Sequence, residues 1–157
     1  MPTPTGTHHY DALLGIRASV EPLDLPGIDP DRIYVQELLT YREGLIALPA
    51  VVISKAPMPE SHEIFDDTYE RVGYPCLLTL LAAADQDPTL TEAPARRRQL
   101  VEECFDHEAN HELEDSLSVE LDETTWQPLD CVDLERFHVD GLVVSAGIIM
   151  VYVFKSR

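Results

Sequence analysis

Two apolar runs, at 48–55 and 74–83, constrain the fold of this chain more than any other feature of its sequence. The first contains AVVI at 50–53, and a continuous β-branched run of this kind is typical of a strand buried on both faces. The second carries Pro75 near its start, where a strand tolerates the missing N–H. We therefore predict that the two runs form an antiparallel pair. Strands this apolar need cover on both faces of their sheet, from helices or from neighbouring subunits.

The 157 residues, with 45% hydrophobic content, suffice for a single packed core, so we predict one domain. Weaker patterns predict its remaining elements. Apolar residues at helical spacing and shorter strand-like runs fill the rest of the chain. Helices are expected at 8–19 and 91–110, strands at 33–39, 117–122 and 138–154, a loose arm at 1–7, an extended connector at 21–30, and bends or bulges at Gly141 and Gly147. The predicted order is α, β, β, β, α, β, β.

The charge balance disfavours specific DNA binding. The sequence has 29 acidic and 11 basic residues, and this net charge of −18 repels nucleic acid wherever the surface is not locally basic. The same charge suits a surface past which DNA slides without sticking, and it is equally compatible with solubility alone. The basic triplet Arg96, Arg97 and Arg98 is expected to point outward and to contact acidic neighbours, in its own helix or in another subunit.

Cysteine spacing and the longest apolar stretch bear on the cellular compartment and on membrane insertion. Three cysteines at unrelated spacings, after an N-terminal segment without a basic region followed by an apolar stretch, predict folding in a reducing cytoplasm. The stretch 141–154 is shorter than the roughly 20 residues that cross a bilayer, so no membrane span is expected. Cys76 and Cys104 fall on apolar faces and are predicted core residues. Cys131 near His138 resembles a thiol site, but a small apolar residue beside a strand is the simpler interpretation.

The segment HEANH at 107–111 fits H-E-x-x-H, in which two histidines one helical turn apart hold zinc and the glutamate polarises a water for peptide hydrolysis. Asn110 is expected to end the helix, which takes His111 off the helical face. Acidic residues on both sides favour a solvated loop. We therefore predict no metal, no cofactor and no catalytic residue. A small zinc metallopeptidase using His107, Glu108 and His111 remains the alternative.

Between the two apolar runs, residues 56–73 contain two prolines and a group of acids without a sustained period of either kind. This pattern predicts a long acidic loop. Long loops of this kind are often functional. We expect this one to reach a neighbouring molecule.

Several segments resemble the tail terminator, or tail completion, proteins of long-tailed bacteriophages and related prophages. ALPAVVIS at 47–54 is similar to the LPAVVVS strand common in that family, and VGYPCLL at 72–78 is similar to the IGYPVLV strand that follows its long loop. AAADQD at 82–87 is similar to the family's DADNQD turn. An arginine-rich helix at 95–105 and a long closing strand that ends in Lys155, Ser156 and Arg157 continue the likeness. The departure is at 107–115, where the family usually has a short neutral link.

The resemblance implies a single α+β domain, tail-terminator-like, with a mixed or mostly antiparallel sheet flanked by two main helices and assembled as a hexameric ring. Such rings cap the head-proximal end of the tail tube, end its polymerisation and join it to the neck. The implied partners are other copies of the chain, the tail tube protein and a neck or head-completion protein, with DNA passing through the channel. The candidate interface residues, chosen by location, are His62, Glu63, Phe65, Asp66, Asp67, Tyr69, Arg96, Arg97, Arg98 and Lys155.

Two further functions remain open from sequence. A head-completion or stopper protein of the neck belongs to the same class and is not separable from a terminator by sequence physics. An acidic DNA-mimicking or adaptor module would act as a monomer or dimer with a cationic partner.

Overall fold

The two aliphatic runs that dominate the sequence lie in neighbouring strands at the centre of one sheet. The computed structural model describes residues 8–37, 47–83, 92–105, 113, 117, 119–129 and 142–156. This part of the chain contains two α-helices, two short 3₁₀ helices and six strands. They are α1 (His8–Val20), the 3₁₀ helices Glu21–Leu23 and Pro30–Arg32, β1 (Ile33–Val35), β2 (Ala50–Lys55), β3 (Ser61–Ile64), β4 (Tyr69–Ala83), α2 (Glu92–Phe105), β5 (Glu120–Leu129) and β6 (Leu142–Ser156).

The sheet is mixed but mostly antiparallel. Its order is β1-β2-β4-β6-β5, and β3 also pairs with β4. Strands β1 and β2 are parallel, whereas β2, β3 and β6 all run antiparallel to β4, and β5 runs antiparallel to β6. The pairing of β4 with β6 extends from Tyr69 opposite Ser156 to Ala83 opposite Leu142. The predicted α+β class, the mixed sheet and the antiparallel pair of apolar strands are confirmed.

Both faces of the central strands are buried, as their composition predicts. Alternate residues of β4, from Val72 to Leu80, pack in one core with apolar residues of α1 and α2, including Leu13 and Phe105. The intervening residues belong to the opposite face, where Leu77 is also buried. Each fully buried aliphatic side chain stabilises the fold by roughly 1.5–3 kcal/mol. Burial of the central strands on both faces therefore contributes much of the stability of the sheet.

Pro75 lies inside β4 without interrupting the sheet. Strand β2 ends where Lys55 pairs with Cys76, and β3 begins where Ser61 pairs with Gly73. Pro75 therefore faces the gap between two partner strands, where its missing N–H breaks no ladder bond. Its carbonyl is still used, because it accepts a hydrogen bond from the backbone N–H of Ala56 at 3.0 Å.

Several predicted boundaries need correction. The predicted loop at 56–73 contains β3 and the first residues of β4, and the connector at 21–30 contains the 3₁₀ helix Glu21–Leu23 and the first residue of the second. The strand predicted at 117–122 begins at Glu120 and continues to Leu129. Gly147 lies in regular ladder pairing, and the register shift falls between Leu121 and Glu123 of the neighbouring strand.

Other predictions are confirmed, or fall on parts of the chain that the structure does not describe. The helix predicted at 8–19 is α1. The strand predicted at 33–39 is confirmed as β1 for its first three residues. The arm at 1–7, the segment HEANH at 107–111, Cys131, His138 and Gly141 lie outside the described residues. None of the described helices is both long enough and apolar enough to cross a membrane.

Candidate functional site

The β3–β4 hairpin, residues 61–73, is the most exposed regular structure in the described chain. All four residues of β3 are exposed, and its pairing with β4 runs from Ser61 opposite Gly73 to Ile64 opposite Glu70. The turn is closed by Asp66, whose Oδ1 accepts hydrogen bonds from the backbone N–H groups of Thr68 at 2.7 Å and Tyr69 at 2.8 Å. This side-chain closure is the usual use of aspartate in a turn.

Apolar side chains are concentrated at the tip of this hairpin. The exposed large hydrophobic residues of the described chain are Ile64 at 68%, Phe65 at 63%, Tyr69 at 45%, Met58 at 44% and Tyr10 at 37%. Four of these five lie within residues 58–69. Exposed apolar residues are ordinary when scattered, but a group rimmed by charged residues indicates an interaction site. We call residues 64–69 the hairpin tip, and it contains the predicted interface residues Phe65, Asp66, Asp67 and Tyr69.

Arg71 ties the hairpin to the far edge of the sheet. Its Nε donates to Asp122 Oδ2 at 2.7 Å, its Nη2 donates to Glu123, and its guanidinium carbon lies 4.0 Å from the centre of the Tyr152 ring. Burial alone would lower the pKa of Arg71, but the hydrogen bonds and charges of both carboxylates outweigh it and raise that pKa. Glu63, a predicted interface residue, lies 3.9 Å from Nη1. The base of the hairpin is therefore held by charged contacts.

Gly73 allows the hairpin to pack closely on β6. A Cβ at this position would collide with Ser61 Oγ and would lie 2.9 Å from Tyr152 Cε1 and 3.0 Å from the methyl carbon of Met150. Contacts under 3.0 Å, as with Ser61 and Tyr152, are essentially never found for a real Cβ. Only glycine lets these side chains meet over the backbone of β4.

A second group of titratable side chains lies on the helix face at the hairpin base. His9 Nε2 donates to the Pro75 carbonyl at 2.9 Å, and Nδ1 lies 3.4 Å from Glu60 Oε1. His62 Nε2 lies 3.5 Å from the other oxygen of Glu60. Burial is the main cause that lowers the pKa of His9, and burial raises the pKa of Tyr74 to about 12. These groups join α1 to the hairpin through polar contacts.

The described residues contain no group of three or more His, Cys, Asp or Glu side chains arranged to hold a metal ion. Cys76 is buried in the core, and burial raises the pKa of its thiol, which disfavours a reactive thiolate. Cys104 packs half-buried against the same core. Both cysteines are core residues, as predicted.

The arginine triplet on α2 does not point outward as a unit. Arg96 is exposed and donates to Gln99 at 3.2 Å, while Arg98 pairs with Glu102 at 3.0 Å. Arg97 is buried, and its Nε donates to the Pro26 carbonyl at 2.7 Å. The prediction that all three arginines are exposed is therefore wrong for Arg97. Its side chain turns towards the segment after α1, where it satisfies a backbone carbonyl.

The predicted interface residues do not all lie together. Lys155 lies beside the hairpin, directly across from Glu70. The Arg97 guanidinium lies towards the far end of β4, because Gly27 is placed so that its Cβ would be 3.2 Å from Arg97 Nη2 and 3.7 Å from the Pro49 ring. Pro49 precedes Ala50, which pairs with Leu81, twelve residues along β4 from Tyr69. At about 3.3 Å per residue, Tyr69 and Leu81 are roughly 40 Å apart along the strand.

Sequence reasoning missed the residues that hold the hairpin in place. Arg71 and His9 contact partners that are remote in sequence, and neither stands in a motif. Comparison with known proteins adds no assignment, because no family model and no curated protein matches the chain.

Proposed function

We propose that this chain is a non-catalytic structural subunit of a phage tail or neck, of the tail-terminator type. Copies of it close into a hexameric ring at the head-proximal end of the tail tube, end tube polymerisation and join the tube to the head connector. No bond is made or broken in this function. The subunit is assembled in the host cytoplasm and remains in the virion.

The observation that carries the proposal is the position of the hairpin tip relative to the two segments that resemble tail terminators. ALPAVVIS at 47–54 leads into β2, VGYPCLL at 72–78 lies in β4, and these strands pair with each other. The hairpin arises between them and presents Ile64, Phe65 and Tyr69 to solvent. A scaffold buried on both faces that projects an exposed apolar tip is suited to docking on another protein surface.

Charge supports the same function. A ring built from subunits of net charge −18 would line its channel with a surface that repels DNA. DNA would then pass through without binding. The charged rim of the hairpin tip would favour a partner that carries cations next to an apolar surface.

Tube assembly in vitro tests the proposal. Tail tube protein of the same virion is polymerised with and without this chain, and tube lengths are measured by electron microscopy. We expect the chain to stop growth at one end and to bind there, and we expect Phe65→Ala to weaken capping because its ring is the most exposed aromatic side chain of the tip. Tyr10→Ala is the matched control, since Tyr10 is an exposed aromatic residue outside the tip. Unchanged tube lengths, with no chain bound at either end, would overturn the proposal.

A further inference from the structure

We propose that the outer edge of β3 binds, by β-strand addition, an extended segment of another protein in which basic and apolar residues alternate. Strand β3 pairs with β4 along one edge, and no described residue pairs with its other edge. In this mode of binding, backbone hydrogen bonds supply the affinity and alternate side chains supply the specificity. The inference goes beyond the proposed function, because it depends only on the hairpin and is testable without a tail tube.

The backbone groups available at this edge belong to His62 and Ile64. The N–H of Phe65 donates to the Tyr69 carbonyl at 3.2 Å, so the backbone of Phe65 faces β4. Successive residues of an antiparallel strand direct their backbone groups to opposite edges, so Glu63 also faces β4. The N–H and C=O groups of His62 and Ile64 therefore point away from β4, where they can form ladder hydrogen bonds with one more strand.

The row of strands outside β2 leaves this edge uncovered in the described chain. Strand β1 begins that row, which continues to Glu37, whose carbonyl accepts a hydrogen bond from the Lys55 N–H at 3.2 Å. Lys55 pairs with Cys76, whereas β3 begins opposite Gly73, about 10 Å further along β4. All four residues of β3 are exposed. An added strand would therefore continue the row of β1 without displacing it.

Charge identifies the added strand as basic. Residues 60–70 contain five acids and no lysine or arginine. Glu63 lies within β3, and its side chain is 72% exposed. Its carboxylate is 3.9 Å from Arg71, which donates to Asp122 and Glu123 instead. A lysine or arginine directly opposite Glu63 on the added strand would give this carboxylate a cross-strand partner.

Ile64 determines the apolar part of the pattern. Its side chain is 68% exposed and lies on the face of β3 opposite to that of Glu63, because neighbouring side chains alternate along a strand. The added strand alternates in the same way. A basic residue opposite Glu63 is therefore next to a residue opposite Ile64, where an apolar side chain would bury both.

A second copy of β3 does not meet these requirements. Pairing of two such edges would bring the acids of one hairpin against the acids of the other, and like charges on facing strands are destabilising. The occupant is therefore a segment of different composition. Self-association of the chain through this edge is one outcome of the test.

A synthetic peptide tests the inference. The probe is a fluorescein-labelled peptide of about eight residues, enough to span the edge, in which valine and lysine alternate. Its binding to the full chain is followed by fluorescence polarisation. A block peptide of the same composition is the control for net charge, because the −18 of the chain attracts any cation. We expect saturable binding of the alternating peptide, at least roughly tenfold tighter than that of the block peptide.

Ile64→Pro tests the backbone contact. Proline removes an N–H that the ladder with β4 does not use, so the hairpin should stay paired, as urea unfolding compared with wild type would show. The affinity for the alternating peptide should fall at least roughly tenfold. Ile64→Val is the matched control, since it keeps the N–H and an apolar side chain, and it should bind like wild type.

Glu63→Lys tests the charge of the partner. It should weaken binding of the alternating peptide at least roughly tenfold, and it should bind a peptide that alternates valine and glutamate more tightly than wild type does. Glu103→Lys makes the same change in net charge at an exposed position on α2 and is the matched control. It should bind both peptides like wild type.

Equal affinity for the alternating and block peptides would overturn the inference. Unchanged affinity in Ile64→Pro would overturn the backbone contact, and unchanged affinity in Glu63→Lys would overturn the basic partner. Self-association of the wild-type chain that Ile64→Pro abolishes and the alternating peptide does not inhibit would overturn it in favour of a second copy.

Discussion

Gly147→Ala is expected to destabilise the protein by displacing Trp126. The indole ring lies across Gly147, and a Cβ at this position would collide with the six-membered part of the ring. The Trp126 Nε1 group donates to Glu102 Oε1 at 3.2 Å, so a displaced ring also loses a hydrogen bond to α2. The glycine therefore gives the tryptophan its place between the sheet and the helix.

The magnitude follows from three terms. Overpacking a closely packed site costs about 1–3 kcal/mol. The half-exposed hydrogen bond to Glu102 contributes about 1 kcal/mol. Replacing a strand glycine with alanine returns roughly 0.5–1 kcal/mol of chain entropy. We expect the free energy of unfolding to fall by about 2 kcal/mol.

Urea unfolding followed by intrinsic fluorescence measures this directly, because Trp126 is the only tryptophan in the sequence. The native emission of Gly147→Ala should shift to longer wavelength as the ring becomes more exposed. In a Trp126→Leu background, monitored by circular dichroism, the same glycine substitution should cost less than about 1 kcal/mol. An equal cost in both backgrounds would refute the proposed collision with the ring.

Three further predictions concern stability. Arg71→Met should lower the free energy of unfolding by about 2 kcal/mol in urea titrations, since it leaves Asp122 without its cation. Arg71→Lys should lower the free energy of unfolding by about half as much, because it keeps the charge but loses the flat contact with Tyr152. Burial lowers the pKa of His9 below its ordinary 6.5, so on acidification the unfolded chain takes up this proton before the folded chain does. The stability that neutral His9 contributes is therefore present above pH 6.5 and is lost as the pH falls through the lower folded pKa. We expect His9→Gln to remove this stability, and unfolding titrations at several pH values would detect the change. The buried Thr79 hydroxyl has no hydrogen-bond partner in the described structure, so Thr79→Val should raise the melting temperature and stabilise by about 1 kcal/mol, whereas a loss of stability would point to a bound water.

The central strands were predictable because burial on both faces leaves a direct record in the sequence. The runs at 48–55 and 74–83 are mostly apolar, and their pairing as β2 and β4 agrees with that composition. The helix α1 was predictable for the related reason that its apolar residues recur at helical spacing. In both cases the spacing of apolar residues along the sequence indicates which side chains are buried.

The hairpin could not be predicted as a hairpin because all four residues of β3 are exposed. A strand that is exposed to solvent on both faces has no alternation of apolar and polar residues, so 56–73 has the composition of a loop. The contact that holds the hairpin in place is between residues distant in sequence, because Arg71 bonds to Asp122, 51 residues away. The burial of Arg97 was missed for a similar reason, since its partner is a backbone carbonyl 71 residues away. Contacts of this kind depend on the completed fold.

Electron cryo-microscopy of tail tubes mixed with this chain tests the central claim most directly. We predict a single ring of the chain at the head-proximal end of the tube, with an open central channel. Absence of the chain from both tube ends, or a metal ion held by His107 and His111, would contradict the proposal that it acts as a non-catalytic tail terminator.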